Sequence, residues 1–151
     1  MYKKIFFFAF SISILLLAGC STHPSPIQYG QDECEHCRML ITDNRYGAEI
    51  VTDKGKVLKF DSIECLIKYA LAKSIIADGK QKFFVTDFLK PETFTNPQSA
   101  FYIQNENFRS PMGLNVSAFG AKEEAQKFLQ ENGGTPMSWV DVIELVRQRS
   151  M

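Results

Sequence analysis

The order of two strands followed by a helix, which occurs twice along the chain, is the feature that most constrains the fold. In the first half, residues 47–52 and 56–60 have the composition of strands and flank the tripeptide Asp53-Lys54-Gly55, which is typical of a hairpin turn. A helix is predicted to follow, with Asp61 as its N-cap and Glu64 as the partner in a capping box. Its apolar residues recur at helical spacing at Ile63, Leu66, Ile67, Ala70 and Leu71.

The second half repeats this order with different residues. Residues 100–104 and 114–119 have the composition of strands, and residues 121–131 form a predicted helix that Gly133 ends. Between the halves, the sequence predicts a strand over residues 82–88 and a loop over residues 91–98. The last predicted helix covers residues 139–149, with Ser138 as its N-cap.

Each unit, of about 50 residues, is too small to bury a separate core. We therefore expect an α+β fold in which two tandem β-β-α units pack together and a C-terminal helix follows. The first unit covers about residues 32–80, the second about residues 98–135, and the whole domain covers residues 32–151. Lys and Arg number 17 and Asp and Glu also number 17, a balance that argues against a protein that binds nucleic acid.

The N-terminus is similar to the signal peptide of a bacterial lipoprotein. Lys3 and Lys4 precede an apolar run over residues 5–17, which is too short to cross a bilayer, and Leu17-Ala18-Gly19-Cys20 closes this run. The resemblance implies that residues 1–19 are removed, that Cys20 is lipidated, and that the protein is anchored outside the cytoplasm. Ser21 follows Cys20, which favours the outer membrane in a Gram-negative host. Residues 20–31 then comprise the lipidated cysteine and a flexible tether rich in Pro, Ser and Gly.

The chemistry of the domain concentrates in one short polar segment, which contains Cys34, His36, Cys37 and Met39. With Cys20 lipidated, Cys34, Cys37 and Cys65 remain as thiols. Three is an odd number, so at least one thiol is left out of any disulfide framework.

Four interpretations of this segment compete. A zinc site built from Cys34, Cys37, Cys65 and His36 lacks the second separated ligand pair that is usual for zinc. A redox dithiol needs the C-x-x-C motif at a helix N-terminus, but the residues after Cys37 predict an extended segment. In such a segment Cys37 and Met39 share one face, and a thiolate with a thioether suits Cu(I). The fourth interpretation is ordinary packing of Cys and Met in the core.

Several motifs together resemble the NosL family, the accessory lipoproteins of nitrous oxide reductase. They are the C-x-x-C-x-M motif at residues 34–39, Phe60-Asp61 with Cys65 five residues after Phe60, Pro111-Met112-Gly113 before a strand, and Ala118-Phe119. The resemblance covers roughly residues 32–134 and includes the lipidation motif. It implies a fold of two β-β-α units, distantly similar to organomercurial lyase.

The same resemblance implies a function without catalytic turnover. The protein would be a membrane-anchored Cu(I) chaperone on the periplasmic side that supplies copper for the copper-sulfide centre of nitrous oxide reductase, the enzyme that completes denitrification. Its partners would be nitrous oxide reductase and the membrane-bound machinery that matures it. The alternative is a periplasmic thiol-disulfide oxidoreductase, or a zinc-binding lipoprotein, that uses Cys34 and Cys37.

The family motifs assign copper to Cys37 as thiolate, Met39 as thioether on the same face, and Met112 as the closing thioether from the second unit. Cys34, Cys65 and His36 are further candidates. We expect His36 to be exposed. Cys65 lies off the apolar stripe of its helix, and we expect it to pack against the second unit, although it could instead face the metal segment.

Overall fold

A computed structural model describes residues 23–150 of the 151-residue chain. The predicted signal peptide and Cys20, the predicted site of lipidation, therefore lie outside the described residues. Within residues 23–150, no helix combines the length and the apolar character that crossing a bilayer requires.

The elements within residues 23–150 are two antiparallel sheets and three helices, in the order β1 (Ala48–Val51), β2 (Val57–Phe60), α1 (Ile63–Ala72), β3 (Lys82–Asp87), β4 (Lys90–Thr95), β5 (Phe101–Gln104), β6 (Val116–Phe119), α2 (Lys122–Asn132), β7 (Thr135–Met137) and α3 (Trp139–Arg149). The larger sheet has the order β2-β1-β3-β4 and the smaller one the order β6-β5-β7. This arrangement confirms the predicted α+β class, with strand, strand and helix in sequence in each half and a C-terminal helix.

Two edge strands were not predicted. Strand β4 occupies part of the predicted loop over residues 91–98, and β7 follows the second unit. Both contain proline, Pro91 in β4 and Pro136 in β7, and both lie at the edge of their sheet, where a missing backbone N–H costs no ladder hydrogen bond. Their side chains are mostly exposed, so they lack the apolar alternation by which strands are recognised.

The two sheets meet where β3 passes β6. The Phe88 N–H donates to the Ala118 carbonyl over 2.8 Å, and the Gly120 N–H donates to the Asp87 carboxylate over 2.9 Å. Helix α1 packs on β1 and β2 and also against α3, which in turn contacts β5 and β7. The two units are therefore joined both by helices and by strands. This explains why neither unit needs a core of its own.

The buried apolar side chains of the described part of the chain form two clusters. The main core lies between α1, α3 and the two sheets, and it includes Cys34, Phe60, Cys65 and Tyr102. A second cluster, the aromatic core, lies under α2, and its members are Tyr46, Phe88, Ile103, Phe119, Ala125 and Phe128, with Phe108 and Leu129 packed against them. Cys34 and Cys65 thus belong to the first cluster, and Cys37 packs against it.

The predicted tether is shorter than the sequence indicated, because its last part packs against the larger sheet. Ile27 is buried, the Ser25 N–H donates to the Glu49 carboxylate over 3.0 Å, and the Gly30 N–H donates to the Ile41 carbonyl over 2.8 Å. All four residues of β1 are buried because α1 covers one face and this segment reaches the other. This segment leads directly into residues 33–40, which contain Cys34 and Cys37.

Glu49 is a buried carboxyl in the centre of β1, opposite Lys59 of β2 and Phe84 of β3. One of its oxygens, Oε1, has no hydrogen-bond partner, and burial raises the pKa of Glu49 to about 7. The unfolded chain releases this proton near pH 4.5, whereas the folded chain holds it until about pH 7. Stability is therefore lost as the pH rises between these two values.

Replacing Glu49 with Gln removes this titration. We expect the unfolding free energy of the unchanged chain to fall, relative to that of Glu49→Gln, by about 2–3 kcal/mol between pH 5 and pH 8. Urea unfolding of both proteins at the two pH values measures this difference. Parallel curves for the two proteins would show that Glu49 ionises equally well in the folded and the unfolded chain.

Candidate metal centre

Residues 33–40 form a closed loop around the C-x-x-C motif. Glu33 and Leu40 pair as an isolated antiparallel bridge, the Cys34 N–H donates to the Met39 carbonyl over 2.8 Å, and the Arg38 N–H donates to the Cys34 carbonyl over 3.0 Å. Arg38 has a φ of 65°, in the left-handed region. The left-handed conformation of Arg38 therefore interrupts the extended segment predicted after Cys37, so a common face for Cys37 and Met39 does not follow from an extended backbone.

Two contacts fix this loop to β2. The Glu35 N–H donates to the Lys59 carbonyl over 2.8 Å, and the Lys59 ammonium lies 2.7 Å from the Asp32 carboxylate. Residues 60 and 61 follow directly and lead into α1. The loop is thus held beside the start of that helix, although the two segments are far apart in the sequence.

The start of α1 differs from the prediction. Its N-cap is Ser62, whose hydroxyl accepts the Cys65 N–H over 3.3 Å, and not Asp61. Ser and Asp are both preferred N-cap residues, so the sequence allowed either Asp61 or Ser62 to begin the helix. Because Ser62 caps the helix, the Asp61 carboxylate is directed to the thiols of the loop.

Cys34, Cys37, Asp61 and Cys65 each offer one ligand atom, and these four atoms all lie within 4.8 Å of one another. The Cys34 sulfur is 3.5 Å from Asp61 Oδ1, and the Cys37 sulfur is 3.5 Å from Asp61 Oδ2. Cys34, Asp61 and Cys65 are buried, and Cys37 is half-buried on the outer side. We call this group the sulfur cluster; its size suits a single metal ion.

The three thiols differ in pKa because Cys34 and Cys65 are hydrogen-bonded to each other and because Cys37 is desolvated by burial. A hydrogen bond from the Cys65 thiol lowers the pKa of Cys34 to about 6, whereas burial raises the pKa of Cys37 to about 11. The hydrogen bond to Cys34 also raises the pKa of Cys65, and burial adds to this effect. Cys34 is thus the first of the three to become a thiolate, the form in which cysteine binds metal.

The expectation that Cys65 packs against the second unit missed its main contact, because Cys65 faces the metal segment. It is fully buried beside Cys34 and belongs to the sulfur cluster. The signal was present in the sequence, since Cys65 lies off the apolar stripe of α1. Asp61 was missed as a member of the site because a carboxylate before a helix is also the ordinary N-cap.

The remaining candidates lie around the cluster. His36 is exposed, as expected, and lines a surface pocket with Lys68, Leu71, Ala72 and Ser150. Met39 is exposed, with 47% of its surface accessible to solvent. Met112 is half-buried and packs against the main core, which contains Cys34 and Cys65. The structure therefore brings the three cysteines together, places Met39 at the surface and leaves His36 outside the cluster.

Comparison with known proteins gives two results. The NosL family model matches residues 26–146. The crystal structure of the copper chaperone NosL from Shewanella denitrificans superposes with a TM-score of 0.67 and 24% sequence identity, over 80% of this chain and 96% of that chain. No curated protein matches the sequence significantly. Because the family model spans most of the chain and the fold agrees, this protein belongs to the NosL family.

Proposed function

We propose that this protein is a Cu(I) chaperone, anchored to a membrane outside the cytoplasm, that supplies copper for the copper-sulfide centre of nitrous oxide reductase. The observation that carries the proposal is the sulfur cluster, in which three thiols converge beside the surface. Thiolates are soft ligands that select Cu(I) over Mg²⁺, Ca²⁺ and Mn²⁺. Membership of the NosL family and the fold shared with a copper chaperone support the same function.

The proposed ligands of copper are sulfur atoms. Cys37 is the outermost thiol of the cluster and receives the ion, and Cys34 and Cys65 lie behind it. Met39, exposed on the same loop, supplies a thioether at the entrance, and Met112 supplies a further thioether from the second unit. A thioether needs no deprotonation and forms no disulfide, which suits exchange of copper with a partner outside the cytoplasm.

The geometry also favours a second candidate, a zinc-binding lipoprotein. The sulfur cluster offers four donors, Cys34, Cys37, Asp61 and Cys65, and Zn²⁺ prefers four ligands in a tetrahedron. Cu(I), in contrast, is satisfied by two or three sulfurs. The two functions therefore differ in which ion the same cluster prefers.

Anaerobic titration with Cu(I) and with Zn²⁺ against competing chelators separates these functions. We expect the purified chain to bind one Cu(I) ion tightly, and to keep it when Zn²⁺ is added in excess. Met39→Leu is expected to weaken Cu(I) binding by about tenfold, equivalent to about 1.4 kcal/mol. Tighter binding of Zn²⁺ than of Cu(I) would instead establish the second candidate.

The proposed client, nitrous oxide reductase, and the proposed lipid anchor at Cys20 are tested in cells. Deletion of the gene in a host that reduces nitrous oxide is expected to leave the reductase without its copper-sulfide centre, and the intact gene restores it. Cys20→Ala is expected to abolish labelling by a radioactive fatty acid and to release the protein from the membrane fraction. Normal nitrous oxide reduction in the deletion strain would assign the chaperone to another copper enzyme.

A further inference from the structure

Four exposed lysines lie at one end of the larger sheet. The end of β1 pairs with the start of β3, and the Asp53 N–H in the turn after β1 donates to the Gln81 side chain over 3.0 Å. The β1–β2 turn and the start of β3 are therefore neighbours. The lysines of these two segments, which we call the lysine end, are Lys54, Lys56, Lys80 and Lys82.

The protein does not neutralise the lysine end by ion pairs. Residues 23–150 contain ten lysines, and four of the six outside the lysine end lie 2.7–3.9 Å from a carboxylate oxygen. Within the same residues, no lysine of the lysine end forms an ion pair. Two exposed carboxylates, Asp53 and Asp78, lie in the same segments. Four positive charges thus stand against two negative ones, and the lysine end keeps a net positive charge.

The segment before the domain crosses the larger sheet along β1. We call residues 23–32 the strap. The Ser25 N–H donates to the Glu49 carboxylate over 3.0 Å, and Ile27 is buried against Gly47, one residue before β1. The strap therefore runs in the opposite direction to β1, from the end of that strand towards its start.

This path places the predicted anchor at the lysine end. His23, the first described residue of the strap, lines one surface depression together with Lys82. Cys20 is three residues before His23, and three residues span at most about 11 Å. This distance is close to the roughly 8–10 Å over which a charged surface acts at physiological ionic strength. Lipid chains on Cys20 would therefore hold the lysine end within the field of an anionic bilayer.

The sulfur cluster lies at the other end of the same sheet. Strand β2 starts one residue after Lys56 and ends at Phe60, next to Asp61 of the cluster. Strand residues advance by about 3.4 Å each, so Lys56 and Phe60 are about 14 Å apart along β2. A surface that meets the lysine end therefore leaves the sulfur cluster at the far end of the sheet.

We propose that the lysine end is a membrane-binding surface that contacts the headgroups of anionic phospholipids, and that this contact turns the sulfur cluster away from the bilayer. The inference rests on the lipid anchor of the proposed function. Each lysine near an anionic bilayer strengthens binding by roughly fivefold. Only residues 21 and 22 lie between the anchor and the strap, and the strap is packed on the sheet. The attraction therefore orients the whole domain and leaves Cys37 accessible to an acceptor of copper.

The reactivity of each lysine on vesicles tests this proposal. The lipidated chain is reconstituted in vesicles that contain phosphatidylglycerol and in neutral vesicles of phosphatidylcholine alone. It is then treated with a water-soluble acylating reagent, and mass spectrometry measures the modification of each lysine. We expect the lysine end to react at least about fivefold more slowly on the anionic vesicles, and salt at about 1 M to remove the difference.

Two other lysines of the same chain are the internal controls. Lys90 lies where β4 begins, at the opposite end of the larger sheet from Lys82, and Lys127 lies in α2. Both are exposed, and we expect each to react at the same rate on the two kinds of vesicle. Because Lys90 lies at the end of the sheet that holds the sulfur cluster, it also reports whether that end faces the bilayer.

Matched double variants separate the surface from the anchor. Lys80→Gln with Lys82→Gln is expected to remove most of the protection of Lys54 and Lys56 on anionic vesicles. Lys90→Gln with Lys127→Gln removes the same charge elsewhere and is expected to leave that protection within about twofold of the unchanged chain. All four replaced side chains are exposed, so both double variants should fold.

Equal reactivity of the lysine end on the two kinds of vesicle would overturn the proposal, because protection would then owe nothing to anionic headgroups. Protection of Lys90 as strong as that of Lys82 would overturn the proposed orientation. A chain that stays in solution when the vesicles are sedimented would instead overturn the lipid anchor of the proposed function. The two failures are therefore distinguishable.

Discussion

Cys37→Ser is expected to lower the affinity for Cu(I) by at least about 100-fold, equivalent to about 2.7 kcal/mol. The hydroxyl of serine is a hard ligand and stays protonated, so the variant loses the thiolate at the entrance of the sulfur cluster. Cys37 is half-buried and makes its side-chain contact with Asp61, so the fold should tolerate the change. Competition with a Cu(I) chelator under anaerobic conditions measures the loss.

Replacement of methionine provides the matched comparison. Met112→Leu removes a proposed thioether ligand, whereas Met137→Leu removes a thioether that also packs against the main core but is not a proposed ligand. We expect Met112→Leu to weaken Cu(I) binding by about tenfold and Met137→Leu to leave it unchanged. A Cys37→Ser variant that binds Cu(I) as tightly as the unchanged chain would show that the cluster is not the site of binding.

Phe128→Ala is expected to lower the free energy of unfolding by about 3–5 kcal/mol. Phe128 is 6% exposed, and its ring lies within 4.9–5.6 Å of the rings of Phe108, Phe119 and Phe88. Truncation leaves a cavity among three aromatic rings that cannot collapse freely. Urea unfolding monitored by circular dichroism measures the loss.

The same variant separates stability from metal binding. The aromatic core lies under α2 and does not include the three cysteines, which belong to the main core or its border. We therefore expect the folded fraction of Phe128→Ala to bind Cu(I) with the affinity of the unchanged chain. A loss of Cu(I) affinity in a protein that remains folded would show that the second unit shapes the sulfur cluster.

The elements with a regular pattern could be predicted from the sequence. The hairpin at the start of the domain, α1, α2 and the capped α3 all combine apolar periodicity with clear turn or cap residues. Strands β4 and β7 could not be predicted from the sequence. An edge strand buries few side chains and tolerates proline, so the neighbouring strand defines it and its own residues do not. The end of the tether was missed for a related reason, since one apolar side chain, Ile27, and hydrogen bonds that involve backbone atoms hold it to the sheet.

The candidate site was predictable in its residue types but not in its geometry. The C-x-x-C-x-M motif indicated that residues 33–40 carry the chemistry. The turn at Arg38, however, changes which of their side chains point inward. Contacts between the loop and β2 bring Cys65 and Asp61 to Cys34, and such long-range contacts leave no periodic signal in the chain. Asp61 was hidden further by its neighbour Ser62, because either residue could cap α1.

The most direct test of the copper assignment is X-ray absorption at the copper edge on the loaded, intact chain. The account predicts Cu(I) bound by two or three sulfur atoms, with no oxygen or nitrogen ligand, because Asp61 and His36 stay outside the coordination shell. A spectrum with an oxygen or nitrogen ligand, or with fewer than two sulfurs, would contradict it.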